Sequence, residues 1–297
     1  MNKKIDIHVH VKLYKEEIEP GLSTIVPDEF RSIFEKLGIG KAVNLPSSLG
    51  EKNISRLPMN DQAHYISQKY PDMFYWFCNV NAKLADTSQE VDFTEYLAYY
   101  KGLGAKGVGE ITVNIYFDEP LVDSLFSSCE KHNLPVIFHI GPMIGGGHYG
   151  LVDDLGLPRL ERALAKFPNL KFLGHSQPFW AEISTGLAEE ARNTYPKGKV
   201  HPGRLVELMK KYPNLCGDLS AYSGYNAMTR DPEFGYSFIE EFQDRLFYGT
   251  DINDPIHINK ELAKLSAWLD DGYAQGKLSK IAYEKVCFGN ALDLLEK

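Results

Sequence analysis

The segment IDIHVH, residues 5–10, sets two histidines two positions apart on what reads as a β-strand. Strand residues two apart point to one face, so His8 and His10 project together with Cα atoms roughly 6–7 Å apart. By the same parity Asp6 shares that face one step deeper, and Ile5, Ile7 and Val9 turn toward a covering layer. Two imidazoles on one face can converge on a Zn²⁺ ion at about 2.0–2.1 Å. The plain alternative is a hydrogen-bonded histidine pair at a strand end, and the HxH spacing alone does not separate the two.

The ends of other strand-like runs favour the metal. His139 comes late in PVIFHIG, His175 late in LKFLGHSQ, Asp251 late in LFYGTDIND and Glu110 late in AKGVGEIT. Barrel enzymes carry their chemistry at the C-terminal ends of strands. Alternation puts Ile137 on the face of His139, Phe247 and Gly249 on that of Asp251, and Val108 on that of Glu110. Four further metal-ligand types at four strand ends, added to HxH, form a pattern that chance seldom gives. His64 and His132 read as exposed helix residues, and His201 and His257 stand near helix starts. His148 lies in a glycine-rich segment, as a candidate substrate contact.

Those side chains meet only if the elements bring them together. Strands are expected at 5–10, 41–46, 74–81, 105–111, 136–140, 170–175, 215–220 and 246–251, each short, apolar and bounded by Gly, Pro, Asn or Ser. Helical spacing falls between them, as in Phe30, Ile33, Phe34 and Leu37 before Gly38, or Leu160, Leu164 and Phe167 before Pro168. Ile256, Leu262, Leu265 and Leu269 suggest a helix after the last strand. A connector recurs as KYPDM (69–73), KFPNL (166–170) and KYPNL (211–215). Lysine suits a helix C-terminus, proline stops the helix, and Asp or Asn turns the chain into the next strand. Eight strands alternating with eight helices imply an α/β protein, a (β/α)8 TIM barrel in one domain over residues 1–297. An open doubly wound sheet is the alternative, weakened by the lack of GxGxxG after the first strand. Segments 141–156 and 177–199 are longer than a barrel needs and read as active-site lids.

Composition narrows the partners. With a net charge of −8 and no basic run, nucleic acid is not an expected ligand. No apolar run reaches the roughly 18 residues of a membrane span, and no signal peptide is visible. The four cysteines are scattered and read as buried thiols. The expected location is the cytoplasm and the expected partner a small molecule; the sequence allows a homo-oligomer without requiring one.

The order HxH after the first strand, His after the fifth, His after the sixth and Asp after the eighth resembles the amidohydrolase superfamily. Within it the chain is similar to the amidohydrolase-2 branch, which includes aminocarboxymuconate-semialdehyde decarboxylase and related metal-dependent hydrolases. The segment YEKVCFGNALDLL resembles the closing segment of that branch. The resemblance implies that His8, His10, His139 and Asp251 hold one divalent metal, usually zinc, with His175 beside it as a polarising or acid/base group. Glu110 resembles the bridging glutamate of TatD-like nucleases, which leaves room for a second ion with His139 and His175; as a plain alternative it orients a histidine. The implied activity is hydrolysis of a small ester, lactone or amide by a metal-activated water. Non-oxidative decarboxylation of an unsaturated or aromatic acid in the same site is the alternative, and a metal-binding barrel without turnover is the third reading. Arg56, Trp180, Tyr222 and His148 are candidate substrate contacts.

Overall fold

A computed structural model describes residues 3–46, 59–84 and 91–296. Arg56 lies outside the described residues. Eight parallel strands form the frame: β1 (Lys4–Val9), β2 (Ile39–Asn44), β3 (Phe74–Trp76), β4 (Val108–Ile111), β5 (Val136–Gly141), β6 (Phe172–His175), β7 (Leu215–Asp218) and β8 (Leu246–Phe247). One run of pairing joins β1, β2 and β3, and another joins β4 through β8. Single bridges, Cys78 to Val108 and Val9 to Ile252, seal both seams. The ring is therefore closed as a (β/α)8 barrel, with helices between successive strands.

The lysine–aromatic–proline connector works as expected. Helices end at Lys69, Lys166 and Lys211, and β3, β6 and β7 begin within a few residues. Five of the eight strands, β3, β4, β6, β7 and β8, are shorter than the sequence suggests. Asp251 lies four residues beyond β8, with φ of 60°. Ile256 belongs to a separate short turn of helix, and the long helix begins only at Lys264. His64 and His132 are partly covered rather than exposed; His64 packs at a tilt against Trp76 and His132 bonds the Thr94 carbonyl.

Two apolar layers fill the molecule. The larger lies between strands and helices, and the smaller lies inside the ring. The inner one contains Ile5, Ile7, Val43, Leu45, Phe77, Ile137, Leu173, Cys216 and Phe247, joined by Ala291 and Leu295 of the terminal helix Asn290–Leu295. This corrects the alternation expected for the first strand. Ile5 and Ile7 face the barrel interior, whereas Asp6 turns aside to accept from the Thr250 hydroxyl at 2.6 Å and its N–H at 3.0 Å. The reason is a bulge: between Asp6 and Val9 the first strand advances three residues while its neighbour advances two, from Ala42 to Asn44. A second bulge opposes Val108–Ile111 to Val136–Phe138. It leaves Val108 in the outer layer while Glu110 turns inward, so those two do not share a face. All four cysteines are buried and free. Among the described residues no helix is long and apolar enough to cross a membrane.

Candidate metal centre

The bulge in β1 lets His8 and His10 lean over the apolar plug from one strand end. Their Nε2 atoms are 3.1 Å apart. The other nitrogen of each ring is committed. His10 Nδ1 donates to the Leu45 carbonyl at 2.8 Å, and His8 Nδ1 lies 2.6 Å from Asp218 Oδ2. Carbonyl and carboxylate oxygens only accept, so both Nδ1 atoms carry the proton and both Nε2 lone pairs face one point. Two lone pairs at that separation repel unless a proton or a cation lies between them.

Two carboxylates complete the group. Glu110 Oε2 is 3.7 Å from His8 Nε2 and 3.4 Å from His10 Nε2; Asp251 Oδ1 is 3.5 and 3.3 Å from the same atoms. Tetrahedral ligands at zinc distances stand roughly 3.3–3.5 Å from one another. Each carboxylate thus lies 3.3–3.7 Å from a histidine pair that is itself 3.1 Å apart, a spacing that fits a small divalent ion. His139 Nδ1 lies 2.9 Å from Glu110 Oε1, while Oε2 of that carboxylate is the oxygen nearer the histidine pair. Glu110, His139 and His175 form a second group with ligand atoms within 4.8 Å of one another.

Charge follows burial and neighbours. Burial depresses the His8 imidazole, but Asp218, Asp251 and Glu110 outweigh it and hold the group well above its ordinary value. His10 is opposed by burial too, and its bonds to Asp251 and Glu110 lift it to about 9. Burial raises Glu110, yet the bonds from His10, His139 and His8 bring it well below the usual range. Asp251 is likewise lowered, by His8 and His10 against burial. His175, desolvated and facing cationic His8, falls to about 4. Two carboxylates stay ionised here, and without a metal the neighbouring imidazoles hold protons to balance them.

The residues behind the centre were not evident in the sequence. Asp218 and Ser220 are fully buried at the end of β7. The Ser220 hydroxyl lies 3.2 Å from His8 Nδ1 and 3.0 Å from His175 Nδ1. A charged residue closing the apolar run NLCGDLS was the one available signal. Trp180, which reads equally as a pocket wall or as packing, is packed under β7; it is buried and its Nε1 donates to the Asp218 carbonyl at 3.0 Å. At the mouth, Tyr149, next to His148 in the chain, sets its ring 4.3 Å from that of His139. Asn114 ties its loop, bonding the Met143 carbonyl and the Gly145 N–H. Tyr222 packs 4.3 Å from Tyr195, and Gln177 donates to the Tyr195 hydroxyl.

Comparison with known proteins agrees with this fold. Among solved structures, the chain resembles a probable 2-pyrone-4,6-dicarboxylic acid hydrolase from Acinetobacter baumannii at 16% identity and TM-score 0.59, covering 100% of both chains. It resembles a dihydroxybenzoic acid decarboxylase from Polaromonas sp., solved with manganese, at 16% identity and TM-score 0.58, covering 100% of this chain and 97% of that one. An amidohydrolase from Burkholderia multivorans with bound zinc matches at 13% identity and TM-score 0.61 over 99% of each chain. At these identities the likeness speaks for the fold. No curated protein matches the sequence. The family model described as Amidohydrolase (Amidohydro_2) matches residues 5–297, and the chain therefore belongs to that family.

Proposed function

We propose that the protein is a metal-dependent hydrolase acting on a small ester, lactone or amide, with one divalent ion, most simply zinc, held by His8, His10, Glu110 and Asp251. The observation that carries this reading is the exposure of Asp251. Its side chain is 25% accessible, against 0% for His8, 9% for His10 and 6% for Glu110, so the centre opens to solvent at a carboxylate. When bound, such an ion polarises a carbonyl and acidifies water. Asp251 keeps Oδ1 toward the imidazoles and leaves Oδ2 free, 3.8 Å from His175 Nε2. That oxygen can take a proton from the attacking water and return it to the leaving oxygen or nitrogen. His175, held neutral by its lowered pKa, donates as imidazole to the developing oxyanion. Tyr149, Tyr195 and Tyr222 line the mouth and suit a small planar molecule. The net charge of −8 and four buried free thiols suit a small-molecule enzyme of a reducing compartment.

Solved relatives of this fold include a decarboxylase as well as a hydrolase. Product analysis decides between the two chemistries. The zinc- and manganese-loaded protein is offered a panel of lactones, esters, amides and aromatic carboxylic acids. We expect a new acid group from a lactone, ester or amide, lost when Asp251 is changed to Asn. Release of carbon dioxide with no hydrolysis would overturn the hydrolase assignment.

A further inference from the structure

Ser220 is the N-cap residue of the helix Ala221–Thr229, yet its hydroxyl caps nothing. Serine at that position ordinarily accepts a bond from the first helical turn. Here its own N–H donates to Asp218 Oδ1 at 3.0 Å, and its hydroxyl turns inward between two imidazoles. The proton positions follow by elimination. His8 Nδ1–H belongs to Asp218 Oδ2 at 2.6 Å, the shorter and charge-assisted bond, so that nitrogen has nothing left to accept with. Ser220 is fully buried, and His175 Nδ1 at 3.0 Å is the remaining acceptor in reach of its proton. Asp218 Oδ2 is 3.7 Å from His175 Nδ1, too far for that nitrogen to donate to it. Were His175 Nδ1 protonated instead, the serine proton would be buried without an acceptor, which is costly.

We propose that Ser220 fixes His175 as the Nε2–H tautomer and so makes it a hydrogen-bond donor to the open side of the centre, withdrawing it from metal ligation. Glu110 and His139 are then the two remaining donors of the second group, and the protein holds one ion, not two. Ser220 is a positioning residue: it acts through His175. The consequence for ion number rests on the metal-centre reading above, whereas the proton assignment stands without it.

The test pairs two measurements on the full chain. Nitrogen-15 NMR of histidine-labelled protein, with His175 assigned by its loss in His175→Asn, reads the tautomer in metal-free and zinc-loaded samples. Zinc content per chain is measured in parallel. Wild type is expected to show a protonated Nε2 and an unprotonated Nδ1 on His175, with one zinc. Ser220→Ala is expected to lose that preference and take up a second zinc. A protonated Nδ1 on His175 in wild type, or an unchanged tautomer in Ser220→Ala, overturns the assignment. Two zinc ions in wild type, falling to one in His175→Asn, would overturn it as well. Wild type binding no zinc would sink the functional reading, while the metal-free spectra would still decide the role of Ser220.

Discussion

At the scale of the residue, ligand histidines do little unless their second nitrogen is held. His8 is held by Asp218 at 2.6 Å and His10 by the Leu45 carbonyl at 2.8 Å. Asp218→Asn keeps the shape but removes the full negative charge and one certain acceptor. Zinc affinity is expected to fall about 10–100-fold, the usual loss when such an outer partner is changed, with the fold intact by circular dichroism. An unchanged zinc titration would show that Asp218 does not orient His8. Protonation gives a second prediction. In the metal-free chain the folded pKa of His10, about 9, exceeds the ordinary value of 6.5. Its contribution to stability is complete below pH 6.5 and lost as pH rises through about 9. Thermal melts of the metal-free protein should therefore drop over that window, and zinc binding at neutral pH should release protons, read by calorimetry in buffers of different ionisation heat. A melting temperature that rises from pH 6.5 to 9 would contradict the assignment.

Among the elements, bulges do the aiming. The alternation of strands and helices was legible because the lysine–aromatic–proline connectors and short apolar runs mark each boundary. His8, His10, His139, His175, Glu110 and Asp251 were legible because polar side chains at barrel strand ends have few other reasons to be there. Which of them would meet was not legible. One extra residue in β1 puts Ile7 inside along with His8, and one in β4 separates Glu110 from Val108. Local sequence carries no plain mark of such an insertion, and Glu110 then closes on the histidine pair. Trp180 stayed open between pocket wall and packing for a related reason: closeness to His175 in sequence says nothing of which side of a strand it packs on. Gly109 is the hinge of the second bulge. Its φ is +145°, and an added Cβ would stand 2.6 Å from the Ile137 carbonyl oxygen. Gly109→Ala should cost about 1–3 kcal/mol and weaken zinc binding by displacing Glu110, as urea melts and zinc titration would show. A stable variant with native zinc affinity would argue against this. The loop over the centre makes a separate case. Asn114→Ala removes the bonds to Met143 and Gly145, so hydrogen exchange over 143–150 should accelerate and KM should rise more than kcat falls. Unchanged exchange there would show that Asn114 does not hold the loop.

For the molecule as a whole, closure is what makes a site. The backbone N–H of Asp251 donates to the His8 carbonyl at 2.8 Å, and that of His10 to the Ile252 carbonyl at 3.1 Å, so the last barrel turn is stitched to the first. An ion held as proposed, by residues from β1, β4 and the turn after β8, would span both seams. It binds the folded chain and not the unfolded one, so zinc at a hundredfold its dissociation constant should stabilise by about 2.7 kcal/mol. Chelation should lower the melting temperature accordingly, and a chelator without effect would count against the ion as a structural tie. The most direct measurement is anomalous diffraction at the zinc edge from a zinc-loaded crystal. One strong peak is expected, within about 2.0–2.2 Å of His8 Nε2, His10 Nε2, Glu110 Oε2 and Asp251 Oδ1. A peak bound by His139 and His175 with His8 and His10 empty, or no peak at this end of the barrel, would contradict the account.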